Sequence, residues 1–333
     1  MRALVLHGPG EFRVEAEWPD PAPPAGWRRV RVRYAGICGS DLPRFLSTGS
    51  YRHPMILGHE FTGVVEGPAG AGQVAAGTPV AVLPLIPCGA CDGCRIAPFH
   101  CGRYQFPGSR NDGGFAEYCA VPEANLLALP AGVDPRFGAL VEPLAVALHA
   151  VRRADWRPGG AALVFGCGGI GLLVGMWLRA MGARRVVMAD VRDASLRVAA
   201  QAGFCEALDL TRERPPAAAF DAVFEAAGAN AALTGALEAV RRRGTVVQIG
   251  RSVRETTLPL ACVEAFMRKE IDLRGCWGYD LREDRERLRQ ALADPGFRLA
   301  PLVTHEIALE EAPSMIRRIA SGQEYSCKVL IRL

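Results

Sequence analysis

The stretch ALVFGCGGIG, residues 162–171, decides the fold class of this chain. Its first four residues are apolar and predict a buried strand, and the apolar run 170–181 predicts a helix directly after that strand. A Gly-x-Gly-x-x-Gly pattern between such a strand and helix is typical of a turn that binds a dinucleotide. The stretch therefore predicts an α/β domain with a dinucleotide site.

Three glycines and one acidic residue give this site its expected contacts. Gly166 would make the tight turn, Gly168 would let the backbone approach a pyrophosphate, and Gly171 would let the helix pack on the strand. The N-terminus of the helix would face the phosphates with its partial positive charge. Asp190 ends the next predicted strand, where a carboxylate binds the ribose 2′-hydroxyl and repels a 2′-phosphate, so the sequence predicts NAD rather than NADP. Arg192, two residues further on, would soften that preference. The predicted cofactor-binding residues are Gly166, Gly168, Gly169, Ile170, Gly171 and Asp190.

Strand and helix patterns alternate from this stretch to about residue 270. Further strands are predicted at 185–189, 221–224 and 245–249, and helices at 194–202 and 231–240. This alternation predicts parallel βαβ units in a doubly wound sheet over residues 151–270.

The segment 1–150 has a different pattern. Short runs at 29–35, 78–83 and 115–121 predict strands, and turn residues separate them, as in a small β-barrel or sandwich. Beyond residue 271 the chain predicts helices at 282–293 and 309–320 and a closing strand at 328–331. We expect the segment 271–333 to return to the first domain.

Length and composition exclude several classes of protein. The chain has 333 residues, half of them apolar and 22% charged, which is typical of about two globular domains. A net charge of +4 gives no strong basic field for nucleic acid. The first residues lack the apolar core of a secretory signal, and the glycine-rich run 158–178 fits a strand, turn and helix better than a membrane span. We therefore expect a cytoplasmic protein without a nucleic-acid or membrane partner.

Four of the eleven cysteines lie within 14 residues, at C-x2-C-x2-C-x6-C. Four thiolates this close can surround one tetrahedral zinc ion, and such a site leaves no position for a substrate. The sequence therefore predicts a structural zinc lobe at about residues 86–103, whose ligands are Cys88, Cys91, Cys94 and Cys101.

Three further potential ligands are dispersed. Cys38 lies in GICGSD, His59 in GHE and Glu142 in VEP. Taken singly, these residues also fit a small core residue, a hydrogen-bonded core histidine and a surface acid. Their occurrence beside a cysteine cluster and a dinucleotide motif favours a second metal site.

These motifs together resemble the zinc-dependent medium-chain dehydrogenase/reductase family along nearly the whole chain. The chain is most similar to the sorbitol dehydrogenase branch, and within it to the galactitol-1-phosphate 5-dehydrogenases, through the stretches 38–45, 108–118 and 142–144. The resemblance implies a GroES-like β-barrel catalytic domain over 1–150 and 271–333, with a Rossmann cofactor domain inserted at 151–270. It also implies catalytic zinc ligands Cys38, His59 and Glu142, a carboxylate of Glu60 that exchanges onto the metal, and a homodimer or homotetramer.

Two features depart from the family's usual pattern. The interval between the third and fourth cysteines, 95–100, is shorter than usual, so we expect a tighter turn there. Pro43 stands where many alcohol dehydrogenases have a proton-relay histidine, which puts a histidine-ended relay in doubt.

The resemblance implies hydride transfer between a secondary alcohol of a polyol or polyol phosphate and NAD, with two zinc ions per chain. We expect the Ser40 hydroxyl to carry the proton away, although a serine there also fits a turn or helix cap. Alternative substrates are a cyclitol or aminocyclitol, and more remotely threonine, whose dehydrogenases usually have Thr at the Ser40 position. A zinc protein that binds nucleic acid is the alternative of another class, and it is disfavoured because the cysteine lobe carries only Arg95 and Arg103 as cations.

Arg44 and Arg110 are candidate phosphate ligands of the substrate. Arg44 lies six residues past Cys38, and Arg110 lies in the glycine-rich loop 108–114. A guanidinium binds phosphate oxygens through paired hydrogen bonds. The alternative is that both are surface arginines paired with Asp41 and Asp112.

Overall fold

The structure is a computed structural model that describes residues 1–67, 74–252 and 255–333, with residues 281–283 described by their backbone alone. The chain divides into two compact units. The first comprises Met1–Glu142, Asp280–Asp294 and Val303–Leu333, and the second comprises Pro143–Tyr279 and Pro295–Leu302.

The elements are numbered in chain order. The strands are β1 (Ala3–Gly8), β2 (Glu11–Glu15), β3 (Trp27–Ile37), β4 (Met55–Ile56), β5 (Glu60–Glu66), β6 (Pro79–Val82), β7 (Tyr118–Pro122), β8 (Leu126–Ala128), β9 (Ala161–Phe165), β10 (Arg185–Asp190), β11 (Ala207–Asp209), β12 (Phe220–Glu225), β13 (Val240–Gln248), β14 (Asp272–Gly275), β15 (Val303–Ala308) and β16 (Lys328–Arg332). The α-helices are α1 (Asp41–Pro43), α2 (Asp92–Ile96), α3 (Val141–Arg153), α4 (Gly169–Ala180), α5 (Asp193–Gln201), α6 (Asn230–Ala239), α7 (Leu260–Lys269), α8 (Leu281–Ala293) and α9 (Ala312–Ala320). Single turns of π or 3-10 helix occur at Arg44–Thr48, Pro98–His100, Glu123–Asn125, Pro135–Leu140, Ala300–Leu302 and Leu309–Glu311.

The second unit contains a parallel sheet of six strands in the order β11-β10-β9-β12-β13-β14. The first strand of the unit, β9, is buried along its whole length and has the continuous apolar sequence that a central parallel strand needs. The strand order reverses on the two sides of β9. The carboxyl ends of β9 and β12 therefore flank a topological switch point, where doubly wound sheets bind their ligands. The predicted α/β class and Rossmann sheet are confirmed.

The first unit is built on a sheet of order β15-β16-β3-β5-β6-β8, with β7 also paired to β3. The long strand β3 alternates polar and apolar residues, and its inward side chains, such as Val30 and Val32, are buried. The C-terminal strand β16 runs antiparallel beside β3 with Val329 opposite Ile37. A smaller sheet, β2-β1-β4, adds the buried residues of β1 to the same core.

The sequence patterns locate most elements but misplace some ends. The strand expected at 115–121 begins only at Tyr118, because the Phe115 N–H instead donates to the carbonyl of Leu57 and the Phe115 carbonyl accepts the N–H of Leu4. The helix expected at 309–320 begins with a 3-10 turn, and α9 follows with Pro313 in its first turn, where the missing N–H costs nothing. No helix in the described part of the chain is long and apolar enough to cross a membrane.

Candidate functional site

The four clustered cysteines bring their sulfur atoms together. The Sγ atoms lie 3.6 Å apart in the pair Cys91–Cys94, 3.7 Å in Cys91–Cys101 and 3.9 Å in Cys88–Cys94. Four sulfurs that surround zinc tetrahedrally at about 2.3 Å lie about 3.8 Å from one another. All four cysteines are free thiols, and their separations fit one zinc ion.

The end of a short helix and a 3-10 turn form the short interval between the third and fourth cysteines. The helix α2 ends at Ile96, and a 3-10 turn at Pro98–His100 then carries the chain to Cys101, whose N–H bonds the carbonyl of Pro98 at 3.2 Å. This tight path allows six residues to span the interval. Outside the cluster, Arg103 donates to the Cys88 sulfur at 3.7 Å, and Arg95 pairs with Asp92 at 2.7 Å.

The cysteines of the lobe differ in acidity. Hydrogen bonds, first that from the Ala90 backbone, lower the pKa of Cys88 to about 6. Burial and the neighbouring thiols raise the pKa of Cys94 to about 11. Because zinc binds thiolates, a zinc ion that bound to these cysteines would displace protons from them.

A second cluster brings together Cys38, His59 and Glu60, whose ligand atoms lie within 4.8 Å of one another. Cys38 follows β3 directly, and His59 and Glu60 stand at the start of β5. The antiparallel register places Gly36 opposite Glu60, so the end of one strand lies beside the start of the other. The His59 and Glu60 side chains are buried. A thiolate, an imidazole and a carboxylate are the ligand types of catalytic zinc sites.

The buried carboxylate of Asp41 organises this cluster. One oxygen accepts the Cys38 backbone N–H at 3.0 Å, and the other lies 3.4 Å from His59 Nδ1. Burial lowers the pKa of His59, but Asp41 and the Cys38 thiolate raise it by more, so the net pKa lies well above its ordinary value. With Asp41 on the Nδ1 side, the other ring nitrogen is the one available to a metal. The sequence interpretation missed this role, although the position of Asp41 within GICGSD was a signal for it.

Lys328 of β16 contacts Glu60 directly in the buried interior. Its ammonium also donates to the carbonyl of Ile37 at 3.4 Å. Burial lowers the pKa of Lys328, but the Glu60 carboxylate raises it by more, and the net pKa lies above its ordinary value. Lys328 is 268 residues from Glu60, so the local sequence gave no signal for the pair.

Glu142 lies at the start of α3 with 8% of its surface exposed, but it is not in the group of Cys38, His59 and Glu60. Burial and the neighbouring carboxylates of Glu60 and Asp41 raise the pKa of Glu142, while His59 and Lys328 lower it, and the net pKa is about 7. Ser40 lies beside the cluster, with its hydroxyl donating to Cys38 Sγ at 3.3 Å.

The glycine motif has the shape of a dinucleotide turn. Gly166 has a φ of +96°, and a Cβ on Gly171 would stand 1.8 Å from the carbonyl oxygen of Gly166. A Cβ on Gly168 would meet no described atom within 4 Å, so its backbone is open to a ligand. Gly169 and Ile170 begin α4. Asp190 ends β10 and accepts the backbone N–H groups of Cys167 and Arg192, each at 2.8 Å.

A cavity of about 610 Å³ lies within the second unit next to this turn. Its wall includes Gly166, Ala189, Asp190, Leu210, Arg214 and Ala232. Across the switch point, the buried Glu225 accepts the N–H groups of Ala227 at 2.9 Å and Gly228 at 2.7 Å and so shapes the loop after β12. The sequence interpretation did not find Glu225. The volume of this cavity and the polar side chains in its wall, such as Asp190 and Arg214, fit a nucleotide.

The two candidate phosphate ligands do not pair with Asp41 or Asp112. Asp112 pairs with Arg52 at 2.8 Å and accepts the Ile56 N–H at 3.0 Å. The guanidinium of Arg110 instead packs over the rings of Tyr51 and Tyr104. The Nη1 atom of Arg44 is buried without a hydrogen-bond partner among the described residues.

Two protein families match the chain. The alcohol dehydrogenase GroES-like domain matches residues 24–131, and the zinc-binding dehydrogenase family matches residues 169–294. Galactitol 1-phosphate 5-dehydrogenase of Escherichia coli K12 is 31% identical over 306 residues, with 88% of each chain covered. Sorbitol dehydrogenase 2 of Saccharomyces cerevisiae is 31% identical over 331 residues, with 93% of this chain and 92% of the relative covered.

Solved structures of dehydrogenases also superpose on this chain along nearly its whole length. The structure of galactitol-1-phosphate dehydrogenase from Escherichia coli superposes with a TM-score of 0.91 at 29% identity over 100% of both chains. An alcohol dehydrogenase of Escherichia coli CFT073 complexed with NADH superposes with a TM-score of 0.87 at 26% identity over 100% of this chain and 99% of that one. A zinc-binding dehydrogenase of Sinorhizobium meliloti bound to NADP has a TM-score of 0.90 at 26% identity, with the same coverage.

Proposed function

The chain belongs to the zinc-dependent medium-chain dehydrogenase/reductase family and is an oxidoreductase, and from that premise we propose that it transfers hydride between a secondary alcohol of a polyol and NAD. The observation that carries the proposal is the grouping of the half-buried Cys38 with the buried His59 and Glu60, with Asp41 on the far side of the imidazole. Structural histidines and cysteines do not need such a set of convergent ligands.

We assign the catalytic metal to Cys38 and His59, with Glu142 as the third ligand and Glu60 as the group that exchanges with it. Bound zinc would supply a Lewis acid that favours alcohol deprotonation, and NAD would accept the hydride. In the structure Lys328 holds Glu60. The Ser40 hydroxyl, 3.3 Å from the Cys38 sulfur, is assigned as a proton relay: it would accept the alcohol proton and pass its own proton on toward water. A second, structural zinc would occupy the four-cysteine lobe.

The preference for NAD is assigned to Asp190. Each of its oxygens accepts one backbone N–H, which leaves a second lone pair on each oxygen for the ribose hydroxyls. The same negative charge would repel a 2′-phosphate. The similar structures include both NADH and NADP complexes, so this proposal rests on the residue itself.

We propose that the protein is a cytoplasmic homodimer or homotetramer that acts on a small molecule. The thiolate ligands favour a reducing compartment. On the second unit, apolar side chains of α7 and of the segment after the edge strand β14 are exposed, notably Leu260 at 75%, Met267 at 68% and Trp277 at 64%. Exposed apolar side chains and an open strand edge suit association of two copies. Nucleic acid is disfavoured, because both arginines of the lobe are engaged by Asp92 and Cys88.

The decisive experiment measures NAD reduction at 340 nm with zinc-loaded protein and a panel of free polyols, polyol phosphates and cyclitols. We expect turnover with at least one polyol and none after His59→Ala, while NAD binding, followed by fluorescence, stays unchanged because Gly166, Gly168 and Asp190 lie in the other unit. Turnover by zinc-free His59→Ala protein would overturn the assignment.

Sedimentation of wild type and Leu260→Asp protein tests the oligomer, and equal masses would refute the proposed interface.

A further inference from the structure

Arg110 is held by aromatic rings instead of by a counter-ion. Its guanidinium carbon lies 4.4 Å from the ring centroid of Tyr51 and 4.1 Å from that of Tyr104. Stacking of this kind fixes the guanidinium plane but leaves its N–H donors at the edge of that plane. The Nε atom is buried and has no hydrogen-bond partner among the residues that the structure describes.

Arg44 shares this lack of partners. It begins the π turn Arg44–Thr48, and its Nη1 atom is buried without a hydrogen bond within the described part of the chain. The acids nearest in sequence are engaged elsewhere, since Asp41 serves Cys38 and His59, and Asp112 serves Arg52. A buried donor without an acceptor is costly, and an anionic ligand at either arginine would remove that cost there.

The loop that carries Arg110 lies against the candidate catalytic cluster. A Cβ on Gly108 would stand 2.6 Å from the backbone nitrogen of His59, so the two backbones are in direct contact. The Phe106 ring lies 5.7 Å from the His59 ring, and the Tyr104 ring lies 6.1 Å from Phe106. Two aromatic rings therefore separate the guanidinium of Arg110 from a proposed zinc ligand.

A hydrogen bond connects the segment that carries Tyr51 to the loop that carries Arg110. The hydroxyl of Ser50, next to Tyr51 in sequence, donates to the carbonyl of Ser109 at 2.9 Å. The loop and the segment 50–51 thus hold Arg110 from two sides, and its orientation does not depend on a ligand.

We propose that Arg110 binds a terminal phosphate of the substrate, so that the preferred substrate class is a polyol monophosphate. This inference rests on the proposed dehydrogenase function. A guanidinium edge offers two parallel N–H donors that match two phosphate oxygens, which neither an amide nor an ammonium reproduces. The phosphate is held at Arg110 while a hydroxyl further along the same carbon chain reaches the cluster of Cys38 and His59.

The test compares kcat/KM for a hexitol 1-phosphate, the free hexitol and the corresponding aldonate, using zinc-loaded wild type and Arg110→Gln. We expect wild type to favour the phosphate. Arg110→Gln should lower kcat/KM for the phosphate by about 10- to 150-fold, the range that corresponds to a charged hydrogen bond, and should change that for the free hexitol less than twofold. Inorganic phosphate should compete with the free hexitol in wild type but not in Arg110→Gln.

Matched variants separate recognition from folding. Arg52→Gln removes a nearby arginine that already has a carboxylate partner, and it should leave the phosphate preference unchanged. Tyr104→Leu removes the ring under the guanidinium and should lower the preference for the phosphate. Zinc content and Tm equal to those of wild type would establish that each variant is folded.

Several results would overturn the inference. A wild-type preference for the free hexitol or the aldonate would do so, as would an equal loss on both substrates in Arg110→Gln. In either case NAD reduction with a polyol would leave the proposed function intact. If no polyol, phosphorylated or free, is oxidised, both proposals fail together.

Discussion

Replacement of Asp41 by Asn tests whether the histidine of the cluster is held as a metal ligand. Asp41 is fully buried, and its two oxygens serve different partners, the N–H of Cys38 at 3.0 Å and His59 Nδ1 at 3.4 Å. Asparagine has nearly the same shape but only one acceptor oxygen. One of the two partners therefore faces an NH₂ group instead of an oxygen.

The size of the effect follows from these two contacts. Loss of one hydrogen bond to a buried charged group costs about 1.5–3 kcal/mol, and 1.4 kcal/mol is a factor of ten in affinity. Changes to groups that orient metal-binding histidines typically cost about 10- to 100-fold in metal affinity or activity. We therefore expect Asp41→Asn to weaken zinc at the Cys38–His59 site by about 10- to 100-fold.

The assay is a competitive titration with a chromogenic chelator, which reports the more weakly held of the two proposed zinc ions, together with turnover at limiting and saturating zinc. Asp92→Asn is the control, because Asp92 is an exposed acid of the cysteine lobe whose only described ion pair is with Arg95. Wild-type zinc affinity and turnover in a folded Asp41→Asn protein would refute the reasoning.

Three further changes test other parts of the account. Asp190→Ala should reduce the ratio of kcat/KM with NAD to kcat/KM with NADP, because it removes both the ribose contact and the phosphate repulsion. Steady-state kinetics with both cofactors measure this ratio, and an unchanged ratio would contradict the assignment. Cys91→Ser should lower Tm and bound zinc while the exposed-cysteine control Cys205→Ser should not, and equal zinc content by atomic emission would show the lobe assignment to be wrong. Lys328→Met should destabilise the metal-free fold by about 3–5 kcal/mol in urea unfolding, because it leaves Glu60 buried and unpaired. The double variant with Glu60→Gln should recover much of this loss. Equal stability of the single variant and wild type would exclude a structural role for the pair.

Local patterns were enough to predict the parallel sheet and the grouping of the four clustered cysteines. The run before Gly166 is continuously apolar, and Gly171 has no room for a side chain, so the strand, turn and helix follow from the local order of residues. The four cysteines are close in sequence, and any compact loop brings them together. The ends of elements were harder, as at Phe115, whose backbone bonds Leu57 and Leu4 across the fold.

The supporting residues of the cluster required the tertiary structure. Lys328 reaches Glu60 only because β16 pairs with β3, and no local pattern encodes that pairing. From the sequence, Asp41 is only an alternative partner of Arg44, whereas its neighbours in the fold are Cys38 and His59. The choice of Glu142 as ligand came from the family resemblance, whereas the structure groups Glu60 with Cys38 and His59.

X-ray diffraction at the zinc absorption edge, on crystals that reduce NAD in the presence of a polyol, tests the central claim most directly. The account predicts two anomalous peaks per chain, one among the sulfurs of Cys88, Cys91, Cys94 and Cys101 and one bounded by Cys38 and His59. Active crystals with a peak at the four cysteines and none beside Cys38 and His59 would contradict it.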